Sequence, residues 1–485
     1  MNKEQSENPE ASPGAPGKNP EGSRSAAPGE DVEPRIGNLE EKGSEALPQA
    51  LIVDSRRAGI EPAKAGADPF FSGRKHFPAL DGLRGLAVLM VMGMHYIGAL
   101  PPASILRFPW CEGWVGVDLF FVLSGFLITG ILYDSAGQVH YFRNFYARRF
   151  LRIFPLYYGL LFCVSCFLLF LRLHFASGFA AHPERERLLA DLPWLWTYTV
   201  NLMSSFGLAG PPFLSHFWSL AVEEQFYMVW PVVVFLAPRR RLMAISLVVM
   251  AIALLLRLAL TACGLGNHGP VYDLMFCRMD AFGAGAIVVL LSRGPQGLTP
   301  FSGLAKRAML VSGGFVLIAL AAVPLIGFAW SVGPNPFLLS GSVALPPWSG
   351  SRWLTDALYS VLAVLFASVI GVISTGTGPW ALPAAVLNLP ILRTFGKYSY
   401  ALYVFHVPIF VMLIPLQARI AARFPLFGGN LGGIAWIVLN LCLAFSAAFL
   451  SYHLYEKHFL ILKKYFPERV AAGGINDQRS TTDGQ

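Results

Sequence analysis

The chain has 485 residues, 54% hydrophobic and only 14% charged, with a mean hydropathy of +0.52, whereas an ordinary soluble domain carries about 25% charge. That balance excludes a water-soluble globule. The formal net charge is +8, but it sits in short clusters between apolar runs and not on one soluble face, which excludes nucleic acid as the partner.

Charge is also unevenly distributed along the chain. Of the 66 Lys, Arg, Asp and Glu residues, 23 fall within residues 1–75, where acidic residues outnumber basic ones. This leader is rich in Pro and Gly, as in Pro13-Gly14-Ala15-Pro16-Gly17, and has no helical or strand period. It cannot bury enough apolar surface to offset chain entropy, so a disordered polar N-terminal tail is expected. No basic start is followed by a short apolar core, so no cleavable signal peptide is expected. Residues 76–460 form the expected membrane body, and 461–485 a short cytoplasmic C-terminal tail.

A helix that crosses about 30 Å of hydrocarbon needs about 20 mostly apolar residues. By that length the body holds ten candidate spans, near 79–99, 114–133, 152–172, 214–236, 242–262, 273–292, 308–330, 354–375, 398–416 and 432–454. The expected fold is therefore all-α, a polytopic integral membrane protein with about ten transmembrane helices. The stretch 193–204, opening Pro193-Trp194-Leu195-Trp196, is too short to cross and fits an interface. Loops 134–149, 237–241, 293–307 and 376–397, with the segment from 455, carry more than twice the Lys and Arg of the alternating set. The positive-inside rule then makes these loops and both termini cytoplasmic.

Six cysteines add little. Cys163 and Cys166 lie within a span and lack partner ligands, so they fit small apolar filler, and no metal is expected. Cys111 and Cys263 fall near outward loops, where a disulfide is conceivable in an oxidising periplasm.

Charge inside a bilayer costs on the order of 2.5–3.5 kcal/mol per Arg, Lys or Asp, so each buried ionisable residue is a functional candidate. The first span carries Leu80-Asp81-Gly82-Leu83-Arg84 and then Met94-His95-Tyr96. Arg84 and His95 are eleven residues apart, which places them on one helix face with a rise of roughly 16 Å. A structural account also fits, in which Arg84 pairs with Asp81 at i,i+3 and His95 is a hydrogen-bonded core residue. In the second span Asp118 lies at a depth similar to His95, so an Asp118–His95 pair forms a reasonable acid/base unit; a water-exposed helix-start carboxylate is the alternative.

Arg149 and Arg152 are one helical turn apart in Tyr146-Ala147-Arg148-Arg149-Phe150-Leu151-Arg152. Two guanidinium groups on one face suit phosphate, or equally lipid headgroups. The fourth span opens Trp218-Ser219-Leu220-Ala221-Val222-Glu223-Glu224, and its adjacent glutamates are too costly to be incidental. Ser219 and Glu223 share a face. Arg278 and Asp280 suit bracing between neighbouring helices, His406 fits a core hydrogen bond, and Glu456 fits a structural boundary role.

This ordered set resembles the membrane-bound acyltransferase-3 family. The matching residues are Leu80-Asp81-Gly82-Leu83-Arg84 with ten residues between Arg84 and His95, Gly116-Val117-Asp118-Leu119-Phe120-Phe121-Val122-Leu123-Ser124-Gly125, Arg149 and Arg152, Trp218-Ser219-Leu220 with Glu223-Glu224-Gln225-Phe226-Tyr227, and Tyr398-Ser399-Tyr400 leading to His406. They cover residues 77 to 460. The resemblance implies an O-acyltransferase of the bacterial cytoplasmic (inner) membrane. The donor would be acyl-CoA, with acetyl the expected group, and the acceptor a hydroxyl of a cell-surface or lipid-linked carbohydrate. His95 would be the essential histidine, as general base or acyl carrier, with Arg84 its partner in the motif, Asp118 and Glu223 the catalytic carboxylates, and Arg149 and Arg152 the recognisers of CoA phosphates. Many relatives carry a soluble hydrolase-type domain after the membrane body; only about 25 residues follow it here, so no second-step transferase is expected within this chain. The acidic leader is outside the family pattern.

A multi-span transporter or flippase would use the same buried charges as a translocation path. The two arginines at the cytoplasmic face, and the lack of an evident inverted repeat, favour the acyltransferase. A non-catalytic scaffold would leave so many intramembrane charges unexplained.

Overall fold

The computed structural model describes residues 78–101, 104–265, 269–325, 352–375 and 381–467. The expected disordered leader and the tail from residue 468 lie outside them. Among the described residues, ten long helices form the body. They are α1 (Pro78–Tyr96), α2 (Val115–Ser135), α3 (Tyr141–His174), α4 (Trp218–Leu236) and α5 (Arg239–Ala262). They continue with α6 (Met275–Ser292), α7 (Ser302–Leu325), α8 (Arg352–Thr375), α9 (Pro390–Arg423) and α10 (Asn430–Ser451). Among the described residues, nine helical segments are long and apolar enough to cross a membrane, and each coincides with an expected span.

Ser360 of α8 meets Asp280 of α6, and Gly371 packs toward Val288, so these two helices run parallel. Between them in sequence, α7 runs antiparallel to α8, with Ala305 beside Gly371 and Gly313 beside Leu365. Likewise α1 and α9 are parallel, since Asp81 lies against Gly396 and Tyr96 against Phe410. The stretch 193–204 does not traverse the bundle: Pro183–Trp196 is a short helix followed by a tight turn over Val200–Phe206.

Close approach at the centre depends on glycine. A Cβ on Gly125 of α2 would collide with the Phe282 carbonyl of α6, and one on Gly285 with the Val122 carbonyl. Gly85 and Gly396 bring α1 and α9 together in the same manner, and Gly82 lets α1 approach the Leu387 carbonyl just before α9. Small residues allow backbones to approach in lipid, where packing rather than the hydrophobic effect drives association. The outer helices show the converse: Phe162, Phe167 and Phe170 of α3 and Leu247, Val248 and Leu255 of α5 are exposed to the surroundings.

Buried ion pairs fasten the layers, as expected for Arg278 and Asp280. Arg278 of α6 bonds Asp118 of α2, and its guanidinium lies 4.2 Å from the ring centroid of Tyr359. Arg257 of α5 donates to Asp280 at 2.6 Å and to Ser360 at 2.7 Å. Nearer the chain's basic loops, Arg293 makes a two-pronged bond to Asp134 at 2.7 and 2.8 Å. The conceivable Cys111–Cys263 disulfide is not formed: both are free thiols, and Cys111 Sγ donates to the Arg107 carbonyl at 3.3 Å.

Candidate active site

Four helices each turn one stripe of side chains toward a shared cavity of about 90 Å3. From α2 come Val117, Phe120, Phe121 and Ser124, and from α3 Arg149, Arg152 and Ile153. Ser219, Leu220, Glu223, Glu224 and Tyr227 of α4 and Ser399, Tyr400 and Tyr403 of α9 complete the wall, with Arg84 of α1. The i, i+3, i+4 and i+7 spacings are why single helices can offer several residues to one space. Arg84, Arg149, Arg152 and Glu223 thus line one cavity although they come from three helices.

The cationic wall has defined supports. Arg84 sits 3.9 Å from Asp81, the contact that a structural reading predicts, but its guanidinium also faces the cavity. Arg149 lies over the rings of Tyr227 and Phe145, 5.8 Å from each centroid, a cation–π arrangement that helps to fix its head group at the cavity wall. Opposite, Glu223 accepts a hydrogen bond from Ser124 Oγ at 2.7 Å, and Ser124 is 3.1 Å from the Tyr227 hydroxyl. Tyr400 donates to the Ile153 carbonyl at 2.7 Å and so ties α9 to the arginine-bearing stretch of α3.

Deeper in the bundle the cavity ends at a pair of hydroxyls. Tyr403 and Ser219 are 2.5 Å apart, and both reach the His216 carbonyl, at 3.0 and 3.2 Å. Beyond them three imidazoles cluster. The ring centroid of His406 is 4.8 Å from that of His95 and 5.1 Å from that of His216, while His95 and His216 are 6.3 Å apart. All three are buried. Among the described residues, no group of His, Cys, Asp or Glu is arranged to hold a metal ion.

One expectation is corrected here. The Asp118–His95 pair does not form, because Asp118 bonds Arg278 across the α2–α6 contact. His406 makes the core hydrogen bond expected of it, to the Tyr403 carbonyl at 2.8 Å, and its Nε2 also lies 3.3 Å from His95 Nδ1. His216 was missed altogether. Gly85 and Gly396, at the close contact of α1 on α9, account for the meeting of His95 and His406 but give no signal for His216, which lies just before α4. Glu456 keeps the structural role expected of it, accepting from Ser451 Oγ at 2.8 Å.

The acyltransferase domain family matches residues 77–456. The peptidoglycan O-acetyltransferase OatA of Listeria monocytogenes is 28% identical over 351 residues, covering 71% of this chain and 51% of the relative. The putative peptidoglycan O-acetyltransferase YrhL of Bacillus subtilis is 30% identical over 396 residues, covering 79% and 55%. The O-acetyltransferase OatA of Staphylococcus aureus is 27% identical over 358 residues, covering 70% and 51%. The chain thus spans about half the length of these curated relatives. No solved structure matches it. With its matched region running from the start of α1 into the turn after α10, the chain belongs to the acyltransferase-3 family.

Proposed function

We propose that this protein is a membrane O-acetyltransferase that moves an acetyl group from acetyl-CoA to a hydroxyl of a cell-envelope carbohydrate. The observation that carries the reading is the junction of a triple-arginine cavity with a buried histidine cluster, one hydroxyl layer apart. Arg84, Arg149 and Arg152 suit a polyanionic donor, since guanidinium forks match phosphate oxygens. A thioester arm directed inward from them meets Ser219 and Tyr403 and then His95. The arginine-bearing end would face the cytoplasm, where acyl-CoA is made, and the membrane would be the bacterial cytoplasmic membrane.

In this mechanism His95 is the general base. It removes the proton of the acceptor hydroxyl as that oxygen attacks the thioester carbonyl. The C–S bond breaks, CoA leaves as the thiolate, and the proton held by His95 returns to that sulfur. Glu223, held by Ser124, faces the arginines and sets the charge of the donor chamber. Asp118 acts through the scaffold, by its bond to Arg278. The carbohydrate acceptor rests on the named relatives, two of which are called peptidoglycan O-acetyltransferases.

The test is reconstitution of the purified protein in liposomes with radiolabelled acetyl-CoA on one side and peptidoglycan fragments on the other. Label is expected on the fragments with the wild type and lost with His95→Ala, which should still insert. A transporter would leave the thioester intact, and full transfer by His95→Ala would overturn the proposal.

A further inference from the structure

We infer that His406 is the positioning residue for His95, fixing the proton on Nδ1 and so making Nε2 the basic nitrogen. This inference rests on the general-base reading above. Its basis is the donor and acceptor chemistry of three short contacts. His95 Nδ1 lies 2.8 Å from the Val91 carbonyl, four residues back in α1. A carbonyl oxygen can only accept, so Nδ1 must carry the hydrogen. The same holds for His406, whose Nδ1 lies 2.8 Å from the Tyr403 carbonyl. Neutral His406 therefore has a bare Nε2, and that lone pair is directed at His95 Nδ1 at 3.3 Å.

The His95 Nδ1–H thus lies between two acceptors, one from its own helix and one from α9. Both hold the same tautomer and the same ring orientation. Val91 alone would permit the ring to swing about its χ2 axis, because a single carbonyl accepts over a broad range of directions. The His406 ring, set edge to face at 80°, removes that freedom. When His95 takes a proton, it goes to Nε2, and the resulting imidazolium keeps its Nδ1–H bonded to both acceptors. A carboxylate commonly fills this orienting role beside a basic histidine. Here Asp118, the carboxylate that its depth in the second span suggests for that role, is committed to Arg278. A neutral imidazole performs the orientation without adding a buried negative charge, which the surroundings would penalise heavily.

The decisive measurement is nitrogen NMR of the wild-type protein in lipid, labelled with 15N-histidine, with the His95 and His406 signals assigned by loss in His95→Gln and His406→Gln. Both residues are expected as neutral Nδ1–H tautomers. A His95 proton on Nε2 would overturn the inference whatever the protein catalyses, so its failure is distinct from failure of the acetyltransferase reading. The kinetic arm follows thiol release from acetyl-CoA in the presence of peptidoglycan fragments. His406→Leu removes the acceptor and is expected to lower kcat about 10- to 100-fold with little change in KM for acetyl-CoA, the usual range for loss of an orienting partner. His406→Gln returns an acceptor oxygen near the Nε2 position and should recover most of that loss. Equal kcat in the leucine and glutamine variants, or wild-type kcat in His406→Leu, would show that His406 serves packing alone.

Discussion

Asp118 of α2 and Arg278 of α6 form an ion pair with side chains only 2% and 1% exposed. Arg278 is further enclosed by aromatic rings, with Phe121 and Tyr272 at 5.7 and 5.2 Å from its guanidinium carbon. Breaking such a pair by removing one partner strands a buried charge and costs about 3–5 kcal/mol. Asp118→Ala is therefore expected to lower the thermal stability of the detergent-solubilised protein sharply. Replacing both partners with apolar residues, as in Asp118→Leu with Arg278→Met, should restore much of it. If Asp118→Ala melts like the wild type but no longer transfers acetyl, the carboxylate belongs to the chemistry and not to the scaffold.

The same helix contact depends on Gly125 and Gly285, where an added Cβ would meet backbone and not a yielding side chain. Backbone atoms cannot move out of the way without separating the helices. Gly125→Val and Gly285→Val are each expected to abolish accumulation of monodisperse protein, as read by size-exclusion chromatography. Gly303→Val, at a position with open space around it, is the control and should behave as wild type.

The extent to which these features could be read from sequence follows the range of the interactions. Span positions follow from local hydropathy, so nine of the ten candidate crossings are found, among the described residues, where their apolar runs lie. Arg149 and Arg152 share a face because helical geometry acts over three residues. Arg84 and Glu223 required the cost of intramembrane charge to mark them as functional, and that cost says nothing about where they meet. Asp118 shows the limit: its partner is 160 residues away, whereas depth along the span points to His95. His95 and His406 are 311 residues apart, and only tertiary packing of α1 on α9 makes them neighbours.

Donor recognition should be separable from chemistry. Arg149 and Arg152 lie in the cavity wall at the end away from the histidines, so their removal should weaken acetyl-CoA binding and leave the acceptor step intact. A charge-assisted hydrogen bond contributes about 1.5–3 kcal/mol, which converts to a KM for acetyl-CoA raised about 10- to 100-fold in Arg152→Ala. Lysine at that position keeps the charge but loses the fork and should recover only part of the loss. Unchanged KM in the alanine variant, with wild-type folding, would remove Arg152 from the donor site.

The hydroxyl layer formed by Ser219 and Tyr403 supplies the most specific prediction about passage. A thioester that enters past the arginines must cross the 2.5 Å contact between these two oxygens before it reaches His95. Ser219→Leu fills that crossing with a branched side chain but leaves Arg84, Arg149 and Arg152 untouched. CoA binding, followed by calorimetry, is expected to persist within a few-fold, while acetyl transfer falls at least tenfold. Ser219→Ala removes one hydrogen bond, about 1 kcal/mol, and adds no bulk, so it should retain most of the turnover. Loss of both binding and transfer in Ser219→Leu would place the crossing within the CoA-binding chamber. Normal transfer in Ser219→Leu would mean that the donor reaches His95 by another route.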